Sequence, residues 1–381
     1  MKSKKKLALA IVAGALALLA AVCGVIMAVL GGTLESQKAD ERWRGQSAER
    51  FAQVSIFFPV GSELDEMSLY SFHETINSKL LEAGLEQPET GSLWTECYSA
   101  KGKIMVEGSR GSSQAVALGV GGDFFTFHPL TLRSGSYISG DDLMGDRVVL
   151  DEELAWKLFG SVDLAGMSVT IGGVPYYIAG VVSRESDFAS SKSYTDGPGI
   201  FISYSALREM EACSGISCYE LVCADPISGF ASGVVTDGLS NNGAYPVVEN
   251  SARYSFSGIF RVIGDFGERS MNNYGVVYPY WENAARLIED YMALCLVLLI
   301  IFAALPVACA LVIGIIWLRR GTRAAKSGAM HLAENAQEKH YERVAERRED
   351  REKRKNAEKR AKTAGKHAKS REKETASSAS E

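Results

Sequence analysis

The chain has 381 residues, 46% hydrophobic and 23% charged, enough for two domains and a buried core, which excludes a chain too polar to fold. Its net charge of −5 hides a division: residues 32–290 carry 18 Lys or Arg against 35 Asp or Glu, and residues 319–381 carry 19 against 11. An acidic centre beside a basic end is the charge arrangement of a membrane protein with one domain outside; the acidic surface serves solubility or attracts cationic, peptide-like cargo.

In chain order, Lys2, Lys4, Lys5 and Lys6 precede Leu7–Leu30, 24 residues without a charge. At about 1.5 Å per residue this run exceeds the ~20 residues needed to cross a bilayer. A cleaved signal peptide is the competing reading, but its apolar core would be only ~7–15 residues long, so an uncleaved anchor over residues 7–31 is expected. "FAQVSIFF", Phe51–Phe58, predicts a strand. Glu63–Ala83 predicts a helix with an apolar face of Met67, Leu69, Tyr70, Phe72, Ile76, Leu80 and Leu81. Short strands are expected at Leu93–Tyr98, Lys103–Glu107 and Gln114–Gly119.

The most regular stretch is "LDEELAWKLFGSVDLAGMSVTIGGVPYYIAGVV", Leu150–Val182. Asp151 can cap a helix whose first turn holds Glu152 and Glu153, Leu154 with Leu158 and Ala155 with Phe159 share a face, and Gly160 ends it. Met167, Val169 and Ile171 then alternate with Ser168 and Thr170, "GG" supplies a two-residue turn, and Val174, Tyr176 and Ile178 resume the alternation. That pattern predicts a β-hairpin with one buried face. Further on, "GIFISYSALREMEA" reads as a strand entering a helix and "CYELVC" as a strand. "PISGFASGVVTDGLSNNG" reads as a helix closing on Gly243, and "AYPVVEN" as a strand. Recurrent strand-then-helix order predicts an α+β body with a mixed sheet.

A second charge-free run, Met292–Leu318, has 27 residues broken only by Pro306. Glu289 and Asp290 abut it on one side, and Arg319, Arg320, Arg323 and Lys326 on the other. The basic flanks of both runs predict cytoplasmic termini, with Tyr291 and Trp317 at the interfaces. The expected layout is a basic cytoplasmic start (1–6), a membrane helix (7–31), an extracytoplasmic domain (32–290), a second membrane helix (291–318) and a charged cytoplasmic tail (319–381). Residues 345–381 contain no Val, Ile, Leu, Met, Phe, Trp or Tyr and cannot bury a core. Glu334, Glu338, Glu342, Glu346 and Asp350 recur beside Lys339, Arg343, Arg347, Arg351, Lys355 and Lys359, which predicts a solvated or coiled-coil helix giving way to disorder beyond about Lys362. A basic run without aromatics favours anionic lipid over nucleic acid.

"GDFFTFHPLTLRSGSYISGDD", Gly122–Asp142, followed by "RVVLDEELAWKLFGSVDLAGMSVTIGGVPYYIAGVV", resembles the core domain that lies outside the membrane in MacB-type ABC transporter permeases. The shared order is a Phe-rich helix, a Gly-bounded turn, a strand, the "LA..LFG" helix, an Asp-containing loop and a hairpin ending in "GVV". "YPYWENAARLIED", Tyr278–Asp290, also resembles the segment joining that domain to the next span. The resemblance implies an outer domain that moves with its membrane helices under the stroke of a cytoplasmic ATPase. It further implies an ABC ATPase or full permease as partner, in a homo- or hetero-oligomer. The family continues into two further spans, so the expectation here is a short two-span form. A stand-alone envelope scaffold or sensor, signalling through the tail, is the alternative.

The sequence holds no G-x-x-x-x-G-K-[ST] loop, no G-x-S-x-G elbow and no H-E-x-x-H helix, so neither a catalytic residue nor a cofactor is expected. His73 and His128 have no second His or Cys at ligand spacing, which predicts no zinc. Asp141–Asp142 and Glu152–Glu153 read as a loop and a helix N-terminus. Cys23, Cys295 and Cys309 lie in the apolar runs, whereas Cys97, Cys213, Cys218 and Cys223 are candidate disulfide formers. Cys218 and Cys223 at the two ends of one strand are too far apart to bridge, which favours Cys213–Cys218 with Cys97–Cys223. Four reduced thiols are the alternative, and a metal site on the C-x4-C-x4-C spacing ranks last.

Overall fold

The computed structural model describes residues 2–377 apart from 46, 48, 87–90, 141, 143, 195, 198, 241–244, 270, 271 and 274. The chain divides into two units, residues 14–303 and residues 1–13 with 304–381. In chain order the elements are helix α1 (Lys2–Gly31), α2 (Ala39–Arg44), strand β1 (Phe51–Phe57), α3 (Glu66–Glu82), β2 (Trp94–Gly108), β3 (Gly111–Gly122), α4 (Phe124–Phe127), β4 (Thr131–Gly135) and β5 (Arg147–Asp151). There follow α5 (Glu152–Leu158), β6 (Ser168–Ile171), β7 (Val174–Ser183), α6 (Phe188–Ser193), β8 (Gly199–Ser203), α7 (Tyr204–Glu209), β9 (Cys218–Ala224), α8 (Phe230–Leu239) and β10 (Val247–Glu249). The last are α9 (Phe256–Asp265), the short ribbon of β11 (Asn272–Asn273) and β12 (Val276–Val277), and α10 (Tyr280–Ser377).

The larger unit is built on one mixed sheet in the order β10-β1-β9-β2-β3-β8-β5-β7-β4, with β6 bridging β2 and β7. Among the described residues, β3 with β8 and β5 with β7 run parallel and the other ladders are antiparallel. This is the expected α+β architecture with a mixed sheet. The αββ unit forms with the predicted elements: Asp151 Oδ1 accepts from the Leu154 amide at 2.7 Å, and Gly172 and Gly173, both at positive φ, turn β6 into β7, but Met167 and Val174, expected on the buried face of the hairpin, are exposed. Leu154, Leu158, Val169 and Ile178 pack with Val106, Leu150 and Ile200 in one core cluster.

Several elements differ from expectation. Leu93–Tyr98 and Lys103–Glu107 belong to the single strand β2, which runs through Gly102 without a break. Glycine is required there because a Cβ would meet the Ala212 carbonyl oxygen at 2.5 Å. Helix α3 begins at Glu66, not Glu63, because Asp65 caps it through the Ser68 amide. Its buried stripe is Leu69, Phe72, Ile76 and Leu80, whereas Met67, Tyr70 and Leu81 stay exposed, since a helix lying on a sheet covers only the positions facing the strands. Helix α8 starts at Phe230, and its expected closure on Gly243 lies outside the described residues, as does Ala244 before β10 and Asp141 in the acidic loop. Helices α6 and α9 were not among the expected elements. Helix α10 continues to Ser377, past the point near Lys362 where disorder is expected; Ala, Lys, Glu and Arg are all strong helix formers. Exposed pairs on its tail are His331 with Glu334 at 3.7 Å and Glu349 with Lys353 at 3.2 Å.

Among the described residues, two helical stretches are long and apolar enough to cross a membrane by length and composition, Leu7–Gly31 and the apolar part of Tyr280–Lys359.

Candidate coupling site at the root of the second apolar helix

Side-chain alternation gives the β1-β9-β2 part of the sheet two different faces. On one, Ala52, Val54 and Ile56 of β1 and Tyr219, Leu221 and Cys223 of β9 pair across the ladder. This face packs beneath α3 and α8, with Phe72 edge-on to Tyr219 at 5.6 Å. On the other, Gln53 and Ser55 stand beside Glu220 and Cys97, and all four are buried. This polar face is covered by Ser36 and Ala39 after α1, by α4 after β3 and by the first turn of α10.

Glu220 is the centre of the polar face. Its carboxylate accepts from Ser55 Oγ at 2.9 Å, from Gln53 Nε2 at 3.4 Å and from the Cys97 thiol at 3.7 Å, and lies 2.5 Å from His128 Nε2. Burial alone would raise the Glu220 pKa, but His128 and the hydroxyl and amide donors outweigh it and hold the group below its ordinary range. Gln53 donates to the Ser36 carbonyl at 2.8 Å and accepts from the Ala39 amide at 2.9 Å, so the segment leaving α1 is fastened to β1. The His128 ring lies 4.4 Å from Trp281 and 4.7 Å from Phe124, centroid to centroid, which brings the first turn of α10 onto the same cluster.

A second buried cluster lies where α10 leaves the domain. Arg253 forks onto Glu282 at 2.7 and 2.9 Å, donates through Nε to Glu289 at 2.7 Å and reaches Gln37 Oε1 at 2.8 Å. Glu282 and Glu289 are two helical turns apart on one face of α10, so a single guanidinium can hold both. Arg269 takes the other oxygen of Glu289 at 2.6 Å and forms an ion pair with Asp290 at 2.9 Å. Burial works against the Arg253 charge, and Glu282 and Glu289 overcome it, keeping the guanidinium protonated. Tyr280 adds a further hold, stacking on Tyr194 at 4.1 Å and donating to Glu185 at 3.2 Å.

The turn Asn250–Arg253 joins the two clusters. Asn250 donates to Ser55 Oγ at 2.8 Å, Ser251 Oγ accepts from the Gln53 amide and donates to Asp40, both at 2.8 Å, and Arg253 follows. A continuous buried polar path therefore runs from the middle of the sheet to the roots of both apolar helices. Sequence reasoning singled out none of Gln37, Gln53, Glu220, Arg253 or Glu282. The one local signal was Glu220, an acid inside an otherwise apolar strand.

The sequence-predicted site residues fall out as follows. His73 lies on α3 with Nε2 2.8 Å from Glu96 Oε1, away from His128. His128, expected to lack ligating neighbours, shares a buried cluster with Cys97 and Glu220 whose donor atoms lie within 4.8 Å of one another. These three could hold a metal by residue type. Ligating histidines, however, almost always donate through their second ring nitrogen, and His128 Nδ1 has no hydrogen-bond partner among the described residues. In this structure the trio is arranged as a hydrogen-bonded group around Glu220.

The expected disulfides are not formed; Cys97, Cys213, Cys218 and Cys223 are free thiols. The β2–β9 register sets Cys97 opposite Glu220 and Cys223 opposite Trp94, which puts the two sulfurs on opposite faces and about 10 Å apart along the strand, beyond the ~7 Å reach of a bridge. Cys213 and Cys218 are likewise separate thiols, the first half-buried and the second fully buried on β9. Burial raises the Cys97 and Cys218 thiols well above the usual range and pushes Cys223 up to about 12, so all three are protonated and inert.

Beside the root of α10 lies a cleft of about 100 Å³, open to solvent, with Leu118, Val182, Phe201 and Trp281 on its walls and Asp151 and Arg184, 2.6 Å apart, among its polar lining groups.

Comparison with known proteins is consistent in kind. The chain is 39% identical over 72 residues to the macrolide export ATP-binding/permease protein MacB of Chromobacterium violaceum, which covers 18% of this chain and 11% of that protein. It is 29% identical over 136 residues to MacB 2 of Aeromonas hydrophila, covering 35% of this chain and 20% of that protein. The chain thus spans a small fraction of the curated relatives it matches. Among solved structures it is similar to the periplasmic region of MacB from Actinobacillus actinomycetemcomitans, at 17% identity and a TM-score of 0.38, covering 61% of this chain and 99% of that one. It is also similar to the extracellular domain of the noncanonic ABC-type transporter YknZ from Gram-positive bacteria, at 17% identity and a TM-score of 0.35, covering 52% and 100%. The model of the MacB-like periplasmic core domain matches residues 9–224, more than half of the chain, and the chain belongs to that family.

Proposed function

We propose that the chain is a membrane-anchored, non-enzymatic component of a MacB-like ABC transporter assembly. Residues 32–290 lie outside the membrane between spans 7–31 and 291–318, and residues 1–6 and 319–381 are cytoplasmic. The domain binds a partner or cargo and carries motion between that partner and the spans, while ATP hydrolysis belongs to a separate subunit. The observation that supports this reading best is the buried polar path. Gln37 and Glu282 meet on one guanidinium, so the roots of both apolar helices are bonded to the same residue, and Asn250 extends that connection to the centre of the sheet. A displacement of either root is thereby passed to the strands.

The test is affinity capture of the full chain from crosslinked membranes. The expected result is recovery of an ABC ATPase or a full permease, and recovery of neither overturns the proposal. The long charged helix after the second apolar run favours a second reading, a scaffold or sensor acting through its tail. Deleting residues 330–381 separates the two: captured partners are retained under the first and activity is lost under the second.

A further inference from the structure

We infer that helix α9 is an interfacial helix whose apolar side lies in the outer leaflet of the bilayer, with acyl chains as its partner. The inference rests on the reading that the apolar part of α10 crosses the membrane.

Helix α9 is strongly amphipathic, but its apolar side is only half used by the fold. Ile259 and Val262 pack into a cluster with Ala284, Ile288 and Met292 of α10 and Leu34 after α1. The adjoining stripe carries Phe256, Phe260 and, just past the helix, Phe266, whose exposures are 68%, 58% and 61%. Three exposed phenylalanines within eleven residues are a costly surface in water, at roughly 25 cal/mol per Å² of apolar area. The opposite side is polar: Ser257, Arg261 and Asp265 line a cleft shared with Glu249, Arg269 and Glu289.

The depth of the stripe relative to the span identifies what covers it. Ile263 and Phe266 line a groove with Leu287, Tyr291, Leu294 and Val297 of α10. The charge-free run of α10 begins at Met292, so Val297 lies about 7.5 Å into it at ~1.5 Å per residue. The α10 wall of this groove runs from Leu287, before the charge-free run, to Val297 inside it, so Phe266 stands at the level where that run begins, which is the level of an interfacial helix. Other side chains around the same level fit an interface. Phe188 meets Tyr291 edge-on at 5.1 Å with Lys192 4.7 Å above its ring, an aromatic and basic pairing suited to headgroups. Of the acids around this level, Glu289 and Asp290 are both paired with Arg269, and Asp265 stands on the polar side of α9.

The experiment is nitroxide accessibility on the full chain in phosphatidylcholine vesicles containing a minority of phosphatidylglycerol. Single labels are placed through Phe260→Cys, Phe266→Cys, Ile301→Cys and Trp156→Cys, in a background where Cys213, Cys295 and Cys309 are alanine. All four labelled positions are exposed, so the labels displace no core packing, and continued protection of Cys223 from alkylation reports an intact domain. Labels at 260 and 266 are expected to match the one at 301, accessible to lipid-soluble oxygen and shielded from a water-soluble nickel chelate, with 156 showing the reverse. Labels at 260 and 266 that behave like 156, or that are shielded from both relaxants as in a protein interface, overturn the inference while 301 leaves the span intact. A label at 301 open to the nickel chelate overturns the spanning reading, and the inference with it.

Discussion

The two faces of the β1-β9-β2 sheet bury the same strands by different means. Under α3 and α8 the contacts are mostly dispersive: Phe72, Ile76, Val234 and Tyr219 fill space, and the two acids of that layer, Glu96 and Asp225, are bonded to His73 and Tyr219 and to Arg50 and the Ala231 amide. Under the segments that lead to the apolar helices the contacts are directional, with Glu220, His128, Gln53 and Arg253 each meeting named partners at fixed distances. An apolar face tolerates small shifts at graded expense. A hydrogen-bonded ionic face holds one geometry, because any shift leaves a buried charge or donor unpaired. The difference teaches that the domain is stapled to its anchors through its polar face and closed against solvent through its apolar one.

The largest effect is expected at Arg253. Arg253→Met leaves Glu282 buried without the cation that forks onto it, and Glu289 with Arg269 alone, and should cost about 3–5 kcal/mol in urea unfolding of the detergent-solubilised chain. Replacing Arg253, Glu282 and Glu289 together by apolar residues of similar volume should recover much of that loss, since a buried ion pair is often no more stable than hydrophobic side chains of its size. If the triple variant regains stability but captures no partner from membranes, the polar face serves coupling; if it regains both, the network is only structural.

Glu220→Gln should cost less, about 1–3 kcal/mol, by weakening the bonds to His128 and Ser55 at neutral pH. Because the folded-state pKa of Glu220 lies below its ordinary 4.5, its contribution is fully present above that value and fades as the pH falls through the folded-state one. Unfolding measured across the acid range should therefore show a shallower loss in Glu220→Gln than in the parent; equal slopes would remove Glu220 from the account. On the apolar face, Ile76→Val should cost only about 0.5–1.5 kcal/mol, with no change in acid sensitivity. The smallest effect is chemical. In the folded chain, maleimide should modify Cys213 in preference to Cys97, Cys218 and Cys223, and prior reduction should not alter the pattern; a reduction-dependent change would restore the disulfide reading.

The αββ unit was legible because every step in it is local: a cap three residues from its amide, a face at i and i+4, a two-glycine turn. Gln53 and Ser55 were harder. Alternation in "FAQVSIFF" normally marks a strand with one wet face, and these two occupy the positions that would be wet. They are buried instead because chain from before β1 and from after β10 folds over them. Likewise His128 gave no metal-ligand signal in the sequence, since Cys97 lies 31 residues before it and Glu220 lies 92 after it, and only the ladder of β2 with β9 brings them together.

By itself, the sequence determined the two apolar runs, the charge division around them, the mixed α+β character and the local capping and turn chemistry, because these depend on composition and on spacings shorter than about two helical turns. The tertiary structure alone decided which face of the sheet the segments next to the apolar helices cover, that Arg253 collects Gln37, Glu282 and Glu289, and that Cys97 and Cys223 stand on opposite faces of the sheet. Those outcomes depend on strand order and register, which place residues tens to hundreds of positions apart within a few ångströms, and no local pattern encodes that distance.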